Sequence, residues 1–254
     1  FMKYLSSTSL TGLFIALSAS STVYADEVQV AVAANFATPL KALAASFKQK
    51  SGHNLQISPE ATGKLYAQIK NGAPYEVFLS ADQTTPQKLA REGDALATTE
   101  MTYGIGKLAL WSASPNLVDD KGEVLKSSSA AHLAIANPQT APYGAAGVSV
   151  LKALNVYDKW QPKLVQGENI AQTYQFVGTG NAELGFVALS QIQQDGKITS
   201  GSAWIVDNAL YSPLKQDAIL LKQGEKNAAA KAFLEFLKSA EAKALINKYG
   251  YDVE

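Results

Sequence analysis

Four places in the chain join a short apolar run to a helical pattern through neutral hydrogen-bonding and small residues. Residues 28–52 break at Ala34-Asn35 and enter a helix through Thr38-Pro39, with no charged side chain before Lys41. A second junction is Pro59-Glu60-Ala61-Thr62-Gly63-Lys64, where Thr62 stands at an N-cap position and Gly63 lets a ligand approach the backbone. A third runs from Ala136 through Asn137-Pro138-Gln139-Thr140-Ala141-Pro142 to Tyr143-Gly144. The fourth is Gln166-Gly167-Glu168-Asn169-Ile170, with Asn169 as N-cap. Helix starts carry N–H groups without intrahelical acceptors and a partial positive charge, so they suit anions. Capping alone explains Thr38, Thr62 or Asn169 taken singly. Four such junctions, two in each half of the chain, point instead to shared anion chemistry.

Other chemistries find little support. Thr62-Gly63-Lys64 is not a phosphate-cradling loop, because Ser58 stands where the first Gly is required and Leu65 follows the Lys. Gly104-Ile105-Gly106 leads into a strand, whereas a dinucleotide fingerprint opens a helix. The chain has no Cys and two His, His53 and His132, both read as surface residues, and no Gly-x-Ser-x-Gly elbow. Glu60, Asp82 and Glu168 are read as turn or cap residues rather than an acid/base set, and Lys64 as part of a solvated helix face. These features argue against an enzyme. An organic acid as cargo would recruit an arginine, and Arg91 falls on an expected surface helix. Iron(III) would require clustered Tyr, His or carboxylates, and the 11 Tyr are scattered.

The elements that must position the junctions alternate. Strands are expected at 29–33, 55–58, 77–79, 107–111, 132–136, 163–166, 183–188 and 218–221. Helices are expected at 39–50, 63–71, 86–92, 144–154, 170–177 and 226–249, the last breaking near Ser239. In the first helix Phe36, Leu40, Leu43 and Phe47 form one apolar stripe. Alternation of this kind predicts an α/β fold of two lobes, each a mainly parallel sheet flanked by helices. The chain is expected to cross between lobes near Lys107 and near Gln216. The divisions expected are a leader at 1–25, a first lobe at 26–106, a second at 107–215, and a return to the first at 216–254.

Lys3, an apolar stretch about residues 10–17 and Val23-Tyr24-Ala25 have the layout of a cleaved signal peptide. The stretch is shorter than the ~20 residues a spanning helix needs. Without Cys there is neither a disulfide nor a cysteine lipid anchor. With 22 Lys+Arg against 22 Asp+Glu, nothing favours nucleic acid or an anionic membrane as partner. A free, monomeric periplasmic protein is expected.

VAVAANFATPLKALAASFKQKSG followed by PEATGKLYAQIKNGAPYEVFLSADQ resembles the periplasmic molybdate-binding proteins of ABC importers. IANPQTAPYGAAG, LGFVALSQI and FLEFLKSAEAKALINKYGY extend the likeness in order across the chain. The resemblance implies a two-lobed, hinge-closing substrate-binding protein without a cofactor. It implies one tetrahedral oxyanion, molybdate or tungstate, held in the cleft by backbone N–H groups and hydroxyls without charged side chains, and delivery to a membrane permease. Sulfate or another oxyanion is the alternative cargo. Carried over by position, the ligand contacts implied are Asn35, Thr62, Tyr143 and Ile170, with Ala34 as a further candidate. Many members carry a Tyr where this chain has Ala188, and the hydroxyl of Tyr143 is expected to replace it.

Overall fold

A computed structural model describes residues 26–127 and 129–254; the expected leader, residues 1–25, lies outside the described residues. The strands are β1 Glu27–Ala33, β2 Asn54–Glu60, β3 Val77–Leu79, β4 Met101–Gly106, β5 Leu108–Ser112, β6 Leu133–Ala136, β7 Leu164–Gly167, β8 Leu184–Ala188, β9 Gln193–Gln194, β10 Lys197–Ile198, β11 Ser202–Ile205 and β12 Leu214–Leu220. The helices are α1 Ala37–Ser51, α2 Thr62–Lys70, α3 Thr84–Arg91, α4 Val124–Ser127, α5 Pro142–Ala153, α6 Tyr157–Trp160, α7 Ile170–Gly178, α8 Leu189–Ile192, α9 Ala228–Leu237 and α10 Ala240–Lys248.

Two five-stranded sheets form the two lobes, with strand orders β2-β1-β3-β12-β4 and β11-β5-β8-β6-β7; β9 and β10 make a separate hairpin. Read from the opposite edge, the second sheet repeats the winding of the first. In each, one strand is flanked by the next two parallel strands, and two antiparallel strands complete the far edge. The sheets are mixed but mainly parallel, as expected: four of the five strands in each run the same way, and one, β12 in the first and β5 in the second, opposes them. Strand β4 was not anticipated: MTYGIG carries two glycines and little alternation, and pairing with β12 makes it a strand. Strand β11 was missed likewise and is held as an edge by β5. The chain leaves the first sheet at Gly106, enters the second at Leu108, and rejoins the first with β12.

Side chains alternate across the first sheet as the period of two requires. Val28, Val30, Val32, Val77, Leu79 and Leu220 face α1 and α9, while Ala31, Phe78 and Ile219 face Leu65 of α2 and Leu89 of α3. The second sheet does the same between α5 on one side and α7 on the other. Helix α1 shows what sets helix placement here. A 3-10 turn at Ala34–Phe36 precedes it, so it starts at Ala37, and Phe36 supplies no side-chain cap. The expected entry through Thr38-Pro39 is thus corrected: both lie inside the first turn, where a proline's missing N–H costs nothing. Phe36, Leu40 and Leu43 are fully buried and Phe47 is 2% exposed. Each such side chain is worth about 1.5–3 kcal/mol, against about 1 kcal/mol for a cap. Packing, not capping, fixes this helix start.

Candidate functional site

The equivalent winding brings equivalent junctions together. The turns after β1 and β2 in one lobe, and after β6 and β7 in the other, lie at carboxyl ends of parallel strands, where α/β proteins gather ligands. They converge on one small cavity of about 10 Å³, roughly the room for one water-sized centre. Ala34 and Asn35 line it from the first junction, Thr62 from the second, Tyr143 from the third and Ile170 from the fourth. Five alanines complete most of the wall, Ala33, Ala61, Ala81 and Ala141 beside Ala34, and their small side chains leave the backbone within reach.

What each junction can offer follows from its partners. Asn169 caps α7 as expected: its Oδ1 accepts from the N–H groups of Ala171 and Gln172, both at 3.0 Å. The N–H of Ile170, the first residue of that helix, lacks an intrahelical acceptor. Tyr143 follows Pro142 at the start of α5; proline has no N–H, so the N–H of Tyr143 is the first of this helix. Thr62 is not an N-cap. It is the first residue of α2, capped in position by Ala61, and its Oγ1 accepts from the N–H of Ala81 at 3.1 Å. With an acceptor lone pair so used, the hydroxyl proton is left to donate. Gly63 admits a neighbour as anticipated, but the neighbour is protein. Its N–H donates to the Thr140 carbonyl at 2.8 Å, and a Cβ there would stand 3.1 Å from Thr140 Cα.

The side chain of Asn35 points away from donor duty at the cavity. Its Nδ2 donates to Gln216 Oε1 and to the Tyr251 hydroxyl, both at 2.8 Å. The Tyr251 hydroxyl donates back to the Asn35 carbonyl at 3.1 Å, and Ser190 Oγ from the second lobe donates to the same carbonyl at 2.8 Å. Tyr103 donates to the Ser80 carbonyl at 2.8 Å and lies 2.9 Å from Gln216 Oε1. The Tyr143 hydroxyl accepts from Gln216 Nε2 at 3.1 Å. It therefore meets the strand joining the lobes, beside Gly106, where any Cβ would overlap both groups. Burial raises the pKa of Tyr103 and Tyr143 well above the usual tyrosine value and pushes Tyr251 up to about 12. All three stay neutral donors at ordinary pH. Gln216, Tyr251 and Ser190 were not anticipated. A lone Gln beside the apolar run 218–221 was the available signal for Gln216; Tyr251 and Ser190 gave none.

No Lys or Arg lines the cavity, but the wall does carry one charge, Glu60. The expectation of a cage without charged side chains is corrected to that extent. Glu60 Oε1 accepts from the N–H of Ala61 at 2.8 Å and from Asn169 Nδ2, across the cleft, at 2.6 Å. Lys64 is partly exposed on its helix face, as expected, but it also pairs with Glu168 of the other lobe. That hydrogen bond, with the Glu60 charge adding, holds its ammonium above the usual lysine range. Asp82 is turn structure, accepting from the N–H and Oγ1 of Thr85 at 2.9 and 3.1 Å. His132 is exposed beside Glu183, whereas His53 is half-buried, accepting from the Asp26 N–H at 3.2 Å. Among the described residues no group of three or more His, Cys, Asp or Glu could hold a metal ion.

Residues 28–252 match the bacterial extracellular solute-binding protein family. The chain is 53% identical to the molybdate-binding protein ModA of Azotobacter vinelandii, over 98% of this chain and all of that one. It is 50% identical to ModA of Rhodobacter capsulatus, over 96% of this chain and 95% of that one. The solved periplasmic molybdate-binding protein of Azotobacter vinelandii superposes with a TM-score of 0.87 at 43% identity, covering 89% of this chain and 99% of that one. The chain belongs to the bacterial extracellular solute-binding proteins.

Proposed function

We propose that this protein binds molybdate, and tungstate equally, in the periplasm and hands it as a monomer to the permease of an ABC importer. It does so without a cofactor and without catalysis. The lobes divide at 106/107 and 215/216, and the contacts are Asn35 and Ala34 by backbone N–H, Thr62 by N–H or hydroxyl, and Tyr143 and Ile170 by N–H. The observation that carries the reading is the convergence of four helix starts, two from each lobe, on one cavity free of Lys and Arg. A dianion leaves water only where hydrogen bonds replace its hydration shell. Each charge-assisted bond supplies roughly 1.5–3 kcal/mol, and each helix start adds about 0.3–1 kcal/mol. Donors drawn from both lobes bind the closed state better than the open one, so the ion itself shifts the population towards closure. The likeness to two molybdate-binding proteins at half identity or more supports molybdate as the cargo.

The same wall free of Lys and Arg would also serve sulfate, and this is the second reading. Titration calorimetry with molybdate, tungstate, sulfate and phosphate separates the two. The proposal expects heat with molybdate and tungstate that a sulfate excess does not abolish; heat with sulfate alone overturns it.

A further inference from the structure

Besides the Ser190–Asn35 and Gln216–Tyr143 bonds, three direct contacts join the lobes beside the cavity. Glu60 Oε1 receives Asn169 Nδ2 at 2.6 Å, Lys64 pairs with Glu168, and the Gly63 N–H donates to the Thr140 carbonyl. Glu60 and Lys64 flank the start of α2, while Glu168 and Asn169 are adjacent in the turn that starts α7. Two positions of one helix start thus grip two positions of the other. Asn169 works in both directions, since its Oδ1 caps α7 while its Nδ2 crosses the cleft. Glu60 lines the cavity, as does Ile170, so the grip sits against the ion's place.

A carboxylate in the wall of an anion site is a cost unless it does something else, because like charges repel at short range. Its position explains the exception. Glu60 takes the side-chain amide of Asn169, the cap residue of α7 directly before Ile170. Lys64 lies close enough to both carboxylates to offset part of their charge.

We propose that Glu60, Lys64, Glu168 and Asn169 form a clasp that positions the α7 start over the cavity and keeps the lobes shut, slowing escape of a bound anion. The clasp rests on the reading that the lobes hinge about a bound oxyanion. Most of its effect belongs to the Glu60–Asn169 bond at the cavity edge. The Lys64–Glu168 pair is more exposed, at 37% and 59% for the two side chains, and such pairs contribute little.

The test is Asn169→Asp, alone and with Glu60→Gln. Asp is as good an N-cap as Asn, so α7 stays capped, but its second oxygen now faces the Glu60 carboxylate. Adding Glu60→Gln restores a donor–acceptor pair in reversed sense. The native chain has no Cys, so spin labels on Gln49→Cys in α1 and Lys152→Cys in α5 report the lobe separation in the ligand-free protein. Stopped-flow release of molybdate reports the off-rate. Asn169→Asp should lengthen the ligand-free distance and speed release at least tenfold with little change in on-rate, and the double variant should return both towards wild type. Unchanged ligand-free distances in Asn169→Asp, or no return in the double variant, overturn the clasp. Should no oxyanion bind at all, the distance measurement still decides the clasp, and a shift reversed by Glu60→Gln supports it while the ligand reading fails.

Discussion

Replacing Asn35 with Leu keeps the branch at Cγ and removes both hydrogen bonds of the side-chain amide. The partners lost are Gln216 and Tyr251, both on elements of the first lobe. Neither is orphaned: the Tyr103 hydroxyl still lies 2.9 Å from Gln216 Oε1, and Tyr251 still has the Asn35 carbonyl at 3.1 Å. The cost is then that of two ordinary bonds, about 0.5–1.5 kcal/mol each, or about 1–3 kcal/mol in all. For a chain of this size that lowers Tm by roughly 2–12 °C. The backbone N–H proposed to meet the ion survives the substitution, so molybdate affinity should fall less than about fivefold. If instead the amide donates to the ion, the loss is a charge-assisted bond of about 1.5–3 kcal/mol, or roughly 12- to 150-fold. Thermal denaturation without ligand and titration calorimetry with molybdate, run on the same variant, separate the cases. An unchanged Tm with a large loss of affinity would refute the assignment of Asn35 to the lobe's interior.

Other expectations follow from the same contacts. Thr62→Val removes the hydroxyl proton left free by Ala81 and should weaken molybdate binding about 10- to 100-fold in calorimetry, whereas Thr62→Ser stays within about fivefold. Gly106→Ala places a methyl group against the Tyr143 hydroxyl and Gln216; a strain of about 1–3 kcal/mol should weaken binding through incomplete closure, with far-UV dichroism unchanged. Buried Tyr103, Tyr143 and Tyr251 keep their protons longer folded than unfolded. Their contribution to stability is therefore complete below about pH 10, where unfolded tyrosines begin to ionise. It is lost as pH rises towards about 12, and denaturation midpoints flat between pH 10 and 12 would contradict this.

The parts legible in the sequence are those whose signal is local. Alternation of Val28, Val30 and Val32, the stripe from Phe36 to Phe47, and the side-chain cap at Asn169 are each set by neighbours in the chain, and each stands as read. The junction residues Asn35, Thr62, Tyr143 and Ile170 do meet at one cavity, because equivalent turns of two equally wound sheets must face each other across the cleft. Local reading fails where the partner is distant. Asn35 bonds residues 181 and 216 positions away, so nothing near it shows that its amide faces inward. Thr62 has the right type for a cap, yet its hydroxyl is claimed by Ala81. Glu60 and Lys64 look like ordinary turn and surface residues until Asn169 and Glu168 arrive from the other lobe. The strand Met101–Gly106 exists because β12 pairs with it, although its own composition argues for a loop.

A tetrahedral oxyanion held among four helix starts by neutral donors would carry a direct crystallographic signature. Anomalous scattering at the molybdenum edge from crystals grown with molybdate tests it most directly. One strong peak is expected in the cavity between Asn35, Thr62, Tyr143 and Ile170, with N–H and hydroxyl groups of both lobes as its neighbours. A peak outside that cavity, or one whose nearest neighbours are lysine ammonium groups, would contradict it.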